Sequence, residues 1–256
     1  MSTPRTFVQL LQDRLGADAA QPLVTSYDET SGERTELSVT TYANWVSKTA
    51  NLLTDELGLV AGDTVLVELP PHWLVPVFMG AAWASSLAVT TDPSAPHSLV
   101  VCGPDRVGGA ADPQPDPVAA PEARLASSLL PFAVRFAEPL PEGVLDYGEL
   151  WPGQSDVFVP ADLPSPDTVA WNDAEGSLSQ AELLQAAATA APELGTRLLT
   201  DAHPAVDHGV PAFLAPVLAG GSLVLLVHPS EATWDARRDE ERATAELRAG
   251  DQPPRS

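Results

Sequence analysis

Three short apolar runs, Val65 to Leu69, Leu87 to Thr91 and Leu99 to Cys102, restrict the fold more than any other feature of this chain. Each is too short for a stable helix, and they read as strands buried on both faces. Helical patterns precede and separate them. Tyr42, Val46, Thr49, Leu53 and Leu57 follow i, i+3, i+4 spacing, with Ser38 or Thr40 as the starting cap and Gly58 as the stop. Pro71 opens a second helix that runs to about Ser85. Alternating strands and helices predict a largely parallel sheet covered by helices. Upstream, Leu23 to Tyr27 and Glu33 to Leu37 flank the polar connection Asp28-Glu29-Thr30-Ser31-Gly32 and predict a β-hairpin. Residues 1–110 are therefore expected to form a first α/β lobe.

From Gly103 to about Pro121 the chain is rich in Gly, Pro, Asp and Ala and reads as a connection, with Gly108-Gly109 no more than a loop signal. Residues 111–166 are expected to be irregular. Within them Arg124 to Phe132 reads as a short helix and Ala133 to Phe136 as a strand, while prolines from Pro139 to Pro166 interrupt every later run. A second α/β lobe is expected over residues 167–229. It opens with a strand, Thr168 to Trp171, and a helix marked by a Ser179/Glu182 capping box with Leu178 and Leu183 placed as a hydrophobic staple. A strand at Arg197 to Thr200, a helix from Pro211 to Ala219 stopped by Gly220-Gly221, and a buried strand at Ser222 to Val227 follow. Residues 230–256 read as a charged, peripheral tail, because charges lie all around the helix expected from Glu231 to Arg248. The predicted fold class is α/β, with two lobes of mixed, largely parallel sheets.

Asp and Glu number 35 against 13 Lys and Arg, a formal net charge of -22, which repels nucleic-acid phosphates and anionic lipid headgroups. The acidity itself reads as a solvated surface. The amino-terminal residues carry no continuous apolar run of the signal-peptide type, and Pro211, Pro216, Gly220 and Gly221 break the longest apolar stretch. Cys102 is the single cysteine, so no intrachain disulfide or thiolate metal cluster can form. A cytoplasmic protein that contacts neither nucleic acid nor membrane is the expectation.

Leu37-Ser38 leading into a helix with Asn51-Leu52-Leu53, then Gly58-Leu59 and Gly62-Asp63-Thr64-Val65, resembles the adenylate-forming (AMP-binding) enzymes. That superfamily includes acyl-CoA synthetases and the adenylation domains of peptide synthetases. The resemblance maps the family's first core strand onto Val65 to Leu69, and its next helix and proline-ended strand onto His72 through Asp92-Pro93. It covers about residues 20 to 103 and returns at Pro216-Val217-Leu218-Ala219-Gly220-Gly221-Ser222, which is similar to the family's Pro-Leu-Leu-Ala-Gly-Gly-Thr stretch. It implies the fold of the N-terminal part of such enzymes.

The resemblance places the family's phosphate loop, a Ser/Thr/Gly-rich turn ending Pro-Lys-Gly, at Asn172, Asp173, Ala174, Glu175, Gly176 and Ser177. Only Gly176 and Ser177 match. A triphosphate needs amide and hydroxyl donors and a cation, whereas this turn offers two carboxylates. One like-charge contact at 4 Å costs about 1 kcal/mol in water and about 4 kcal/mol at an effective dielectric of 20. Residues 136–196 contain no Lys, Arg or His, and Lys48 is the only lysine. Within these 256 residues the family's C-terminal-lobe lysine, adenine-recognition segment and ribose-binding acids have no counterpart. The resemblance thus carries over the fold and assigns no catalytic residue and no cofactor.

His203, Asp207 and His208 have a spacing that can contribute metal ligands, against a plainer reading in which they cap the following helix. His208 also stands where the resemblance puts a histidine near the acyl substrate, and is the candidate for a vestigial pocket residue. No Gly-x-Ser-x-Gly pentapeptide marks a hydrolase. Cys102 beside Gly103 reads as a small core residue, and Trp45, Trp73, Trp83 and Trp171 read as core packing. The resulting expectation is a non-catalytic relative of adenylate-forming enzymes that binds or regulates, with another protein or a small acyl ligand as its partner. The alternative is an AMP-binding, acyl-CoA synthetase-like ligase with a reduced site, or one completed by a partner chain.

Overall fold

The computed structural model describes residues 5–107, 123–174 and 176–251. In chain order the principal elements are α1 (Phe7–Asp18), β1 (Pro22–Asp28), β2 (Glu33–Ser38), α2 (Val39–Asn51), β3 (Thr64–Glu68), α3 (Leu74–Ala84), β4 (Ala88–Thr90), β5 (Leu99–Cys102), β6 (Ala123–Ala126) and β7 (Val144–Asp146). There follow α4 (Tyr147–Leu150), β8 (Val169–Asp173), β9 (Gly176–Ser179), α5 (Gln180–Thr189), β10 (Arg197–Thr200), α6 (Ala215–Leu218), β11 (Ser222–Val227), α7 (Glu231–Glu240) and β12 (Ala245–Leu247). No helix among the described residues is long and apolar enough to cross a membrane.

The strands form two sheets, and each belongs to its own compact unit. The division does not follow the expected consecutive lobes. Residues 44–70 and 77–180 make one unit, and the flanking segments, with residues 71–76, make the other. The reason is pairing: β1 lies parallel to β11, with Val24 opposite Leu223, so the start of the chain shares a sheet with its last strands.

The flanking unit carries a five-stranded sheet in the order β12-β10-β11-β1-β2, parallel except for the predicted β1–β2 hairpin. Gly32, at φ +75, closes that hairpin by donating its N–H to the Asp28 carbonyl at 2.8 Å. At the end of α6, Gly221 lies so near β10 that an added Cβ would stand 1.8 Å from the Thr196 carbonyl oxygen. Arg14, buried on α1, donates to the Gly221 carbonyl at 3.1 Å, and its burial lowers the guanidinium pKa.

Residues 230–251 are not a peripheral tail. Ser230 and Thr233 form a capping box for α7, and β12 pairs with β10. Trp234, fully buried, packs with Tyr27, Leu199, Val224 and Leu226. Its Nε1 donates to Glu246 at 2.7 Å, and the Arg248 guanidinium lies 3.7 Å from its ring centroid. The guanidinium groups of Arg34 and Arg237 lie 5.4 and 4.1 Å from the Tyr27 ring centroid. The Tyr27 hydroxyl donates to Glu241, which also pairs with Arg197 and Arg34. One apolar residue and a set of ion pairs anchor this segment, so it shows no apolar stripe in sequence.

The central unit carries a seven-stranded sheet in the order β7-β6-β5-β3-β4-β8-β9, parallel except for β8–β9. Its middle strands are buried along their length, as the three apolar runs predict. Of the two candidate caps for α2, Ser38 takes the role, its Oγ accepting the Thr41 N–H at 3.1 Å. Beyond α2 the chain widens into a π-turn, Leu52–Glu56, and stops at Gly58, φ +70. The second helix begins at Leu74, later than Pro71, where His72 Nδ1 accepts the Leu74 N–H at 3.2 Å.

Arg124 to Ala126 is strand β6, not helix, because it completes the open side of β5 and buries Leu125 and Ala126. The strand expected at Ala133 to Phe136 is absent, and a 3₁₀ turn spans Pro131–Ala133. Residues 139–166, expected to be irregular, contain β7 and α4. Tyr147 is buried there, its hydroxyl 2.7 Å from Thr49 Oγ1, and Asn51 Nδ2 donates to the carbonyls of Ser155 and Val157 at 3.0 Å each. Gly108-Gly109 lies outside the described residues.

Candidate functional site

The six residues that the sequence resemblance assigns to the phosphate loop lie at the end of a hairpin. β8 extends through Asp173 and β9 starts at Gly176, with Asn172 opposite Ser177 and Asp173 opposite Gly176. Asn172 and Asp173 are therefore strand residues, and Ala174 and Glu175 alone connect the strands; Glu175 lies outside the described residues. A connection this short cannot wrap around a phosphate chain as an extended glycine-rich loop does.

Four donors of this turn, on Asn172, Ala174, Gly176 and Ser177, are already engaged. The Gly176 N–H donates to Asp173 Oδ1 at 3.2 Å, and the Ala174 N–H donates to Asp92 Oδ2 at 3.2 Å. Ser177 Oγ donates to Asn172 Oδ1 at 3.3 Å, and Asn172 Nδ2 donates to Thr64 Oγ1 at 3.4 Å. Hydrogen bonds from the side chain and backbone of Ser94 hold the Asp92 carboxyl below its ordinary range, so it stays an anion. Carboxylates thus occupy two of the backbone amides at this turn. Asn172 and Ser177 also line a surface cavity of about 420 Å³ with Thr64, Ser86 and Asp162. Asp92 was not among the expected site residues. Its signal in the sequence is an Asx turn at Asp92-Pro93-Ser94, which does not reveal a partner 82 residues away.

His208 belongs to the flanking unit, whereas the hairpin belongs to the central one. Asp207, His208 and Gly209 take left-handed φ values of 43, 62 and 76° in succession before a π-turn at Val210–Leu214. For two non-glycine residues this is a strained conformation that the surrounding fold must hold. His203 Nδ1 accepts the Ala205 N–H at 3.1 Å, a local turn contact. No group of three or more His, Cys, Asp or Glu able to hold a metal ion occurs among the described residues. Cys102 packs with Leu66, Val100 and Ala126, and burial raises its pKa, which keeps it a thiol. Trp73, Trp83 and Trp171 are buried, with Trp83 Nε1 donating to the Ala170 carbonyl at 2.8 Å; Trp45 stacks on Trp151 at 4.3 Å.

No family model matches the chain. Among solved structures, a Brucella canis acyl-CoA synthetase is similar with a TM-score of 0.75 and 17% identity over 95% of this chain and 47% of its own. A Mycobacterium tuberculosis fatty acyl CoA synthetase gives 0.71 and 11% over 94% and 49%. The chain spans about half the length of these proteins, and the likeness is one of fold: mixed, mostly parallel sheets with helices, as the resemblance in sequence implies. A Mycobacterium tuberculosis protein described as "TIGR03089 family protein" is 36% identical over 251 residues, covering 96% of this chain and 100% of that protein. On that identity, sustained over nearly its whole length, the chain belongs to the TIGR03089 family.

Proposed function

We propose that this protein uses an acyl-CoA synthetase fold without its nucleotide chemistry, as a cytoplasmic binding or regulatory protein whose partner is another protein or a small acyl ligand. The observation that carries this reading is the engagement of the Ala174 and Gly176 amides by Asp92 and Asp173. A phosphate arriving there would have to displace two anions and then meet their charge at short range, about 4 kcal/mol for each contact at an effective dielectric of 20. No cofactor enters this reading.

A thermal-shift titration with Mg-ATP, AMP and a panel of acyl-CoAs tests it, since a ligand specific for the folded state stabilises by about 2.7 kcal/mol at a hundred times its Kd. An acyl-CoA shift without a nucleotide shift supports an acyl-binding role. Stabilisation by ATP or AMP, together with pyrophosphate release on adding a carboxylic acid, overturns the reading in favour of a ligase with a reduced site or one completed by a partner chain.

A further inference from the structure

We propose that the free edge of β7, with the loop of residues 129–134, is a docking surface for an extended basic segment of another protein. This goes beyond the question of nucleotide chemistry and holds whichever way that is answered. Phe132 is 77% exposed, and Leu130, Val134 and Leu145 are 49, 46 and 37% exposed. Single apolar residues on a surface are ordinary, but a cluster beside a groove marks an interaction site.

The loop is preformed. Leu129, Phe132 and Ala133 take left-handed φ values of 56, 58 and 46°, a conformation that persists only when its surroundings enforce it. Trp151 Nε1 donates to the Ala133 carbonyl at 3.0 Å, and Ser128 Oγ donates to the Val134 carbonyl at 2.5 Å. Gly148 lies against the same turn, where an added Cβ would stand 2.3 Å from the Arg135 nitrogen. Phe132 is thereby held outward instead of folding onto the core.

β7 ends its sheet, so one side of its backbone has no neighbouring strand among the described residues and can take up an extended chain. Beside it lies a cavity of about 670 Å³ with Phe136, Leu140, Val144 and Leu145 among its lining residues. Its acids are Glu138, Asp146 and Glu149, against the single cation Arg135. Asp146 uses both oxygens on the Phe136 and Gly148 N–H groups, leaving exposed Glu138 and Glu149 to choose the partner's charge. These carboxylates, in a chain of net charge -22, favour a segment that alternates Lys or Arg with β-branched or aromatic residues, and they oppose a second copy of the same chain.

The test is fluorescence anisotropy of the full chain at physiological salt, with labelled Lys-Val-Lys-Phe-Lys-Val as probe and Lys-Pro-Lys-Pro-Lys-Pro as the charge-matched peptide that cannot add a strand. The first peptide is expected to bind and to slow amide exchange at Val144–Asp146, and the second to bind at least fivefold more weakly. Phe132→Ser and the pair Glu138→Lys, Glu149→Lys should each weaken the first peptide at least fivefold. Asp13→Lys with Glu56→Lys, an equal charge change elsewhere, should not. Equal binding of both peptides, unchanged binding to the groove variants, or a dimer in sedimentation that Phe132→Ser dissolves would each overturn the proposal.

Discussion

Replacing Trp234 by alanine should cost most of the stability of the unit that contains it. The side chain is fully buried among Tyr27, Leu199, Val224 and Leu226, so truncation opens a cavity with no exposed edge to collapse from. Truncations of this kind cost about 3–5 kcal/mol. Loss of the Nε1 bond to Glu246 adds about 1 kcal/mol, at the low end because that carboxylate, 39% exposed, can turn to water. Loss of the Arg248 contact adds about 0.5 kcal/mol at a partly exposed site. The sum, about 5 kcal/mol, is comparable to the whole stability of many domains. Trp234→Phe keeps most of the apolar volume and should lose only about 1–2 kcal/mol. Urea unfolding followed by circular dichroism gives both values from midpoint and slope. If W234A lost less than about 1.5 kcal/mol with an unchanged slope, α7 would be the peripheral tail that its sequence suggests, and the packing argument would fail.

Gly221→Ala would place a Cβ 1.8 Å from the Thr196 carbonyl oxygen, and with an overpacking cost of about 1–3 kcal/mol and about 2–4 °C per kcal/mol for a chain of this size it should lower the melting temperature by about 2–12 °C. The same change at Gly16, where nothing lies within 4 Å, should leave it unchanged or raised. Burial alone would raise the Glu241 carboxyl, but hydrogen bonds from Tyr27 and Arg197 outweigh it and leave the pKa lowered. A lowered folded-state pKa gives stability that is complete above the unfolded value, about 4.3, and is lost as pH falls through the folded one. Urea midpoints measured from pH 7 down to pH 3 should therefore fall less steeply in Glu241→Gln than in the native protein. All three tyrosines, Tyr27, Tyr42 and Tyr147, have pKa values raised first of all by burial, so absorbance at 295 nm at pH 10 should show less phenolate in the folded protein than in the urea-unfolded chain, where each tyrosine is about half ionised.

The parts of this fold that show in the sequence are those where burial is one-dimensional. β3, β4 and β5 are covered on both faces, so they appear as short, largely apolar runs with no period-two alternation. The β1–β2 hairpin and the start of α2 are written in local turn and cap chemistry around Asp28, Gly32 and Ser38. β6 was hidden because Arg124 to Ala126 has helix-favouring residues and becomes strand only by pairing with β5. α7 shows in the sequence as a helix starting at Glu231, but its burial does not, because a single tryptophan carries it. At the candidate site the acidic composition of the turn is legible, but the extension of β8 to Asp173 depends on its pairing with β9 and the contact of Asp92 with Ala174 on residues 82 apart.

The pairing of β1 with β11 also fixes an order of events on the ribosome. Val24 must wait for Leu223, about 200 residues later, which at 5–20 residues per second is on the order of 10–40 s. For that interval the opening hairpin carries the apolar side chains of Leu23, Val24 and Tyr27 with the edge of β1 that β11 takes still unpaired. The seven-stranded sheet, drawn wholly from residues 64–179, can close in the meantime. In a nascent chain of this protein β1 therefore waits longer for its parallel neighbour than any strand of the seven-stranded sheet does, and a chaperone met during synthesis should be found on residues 22–38.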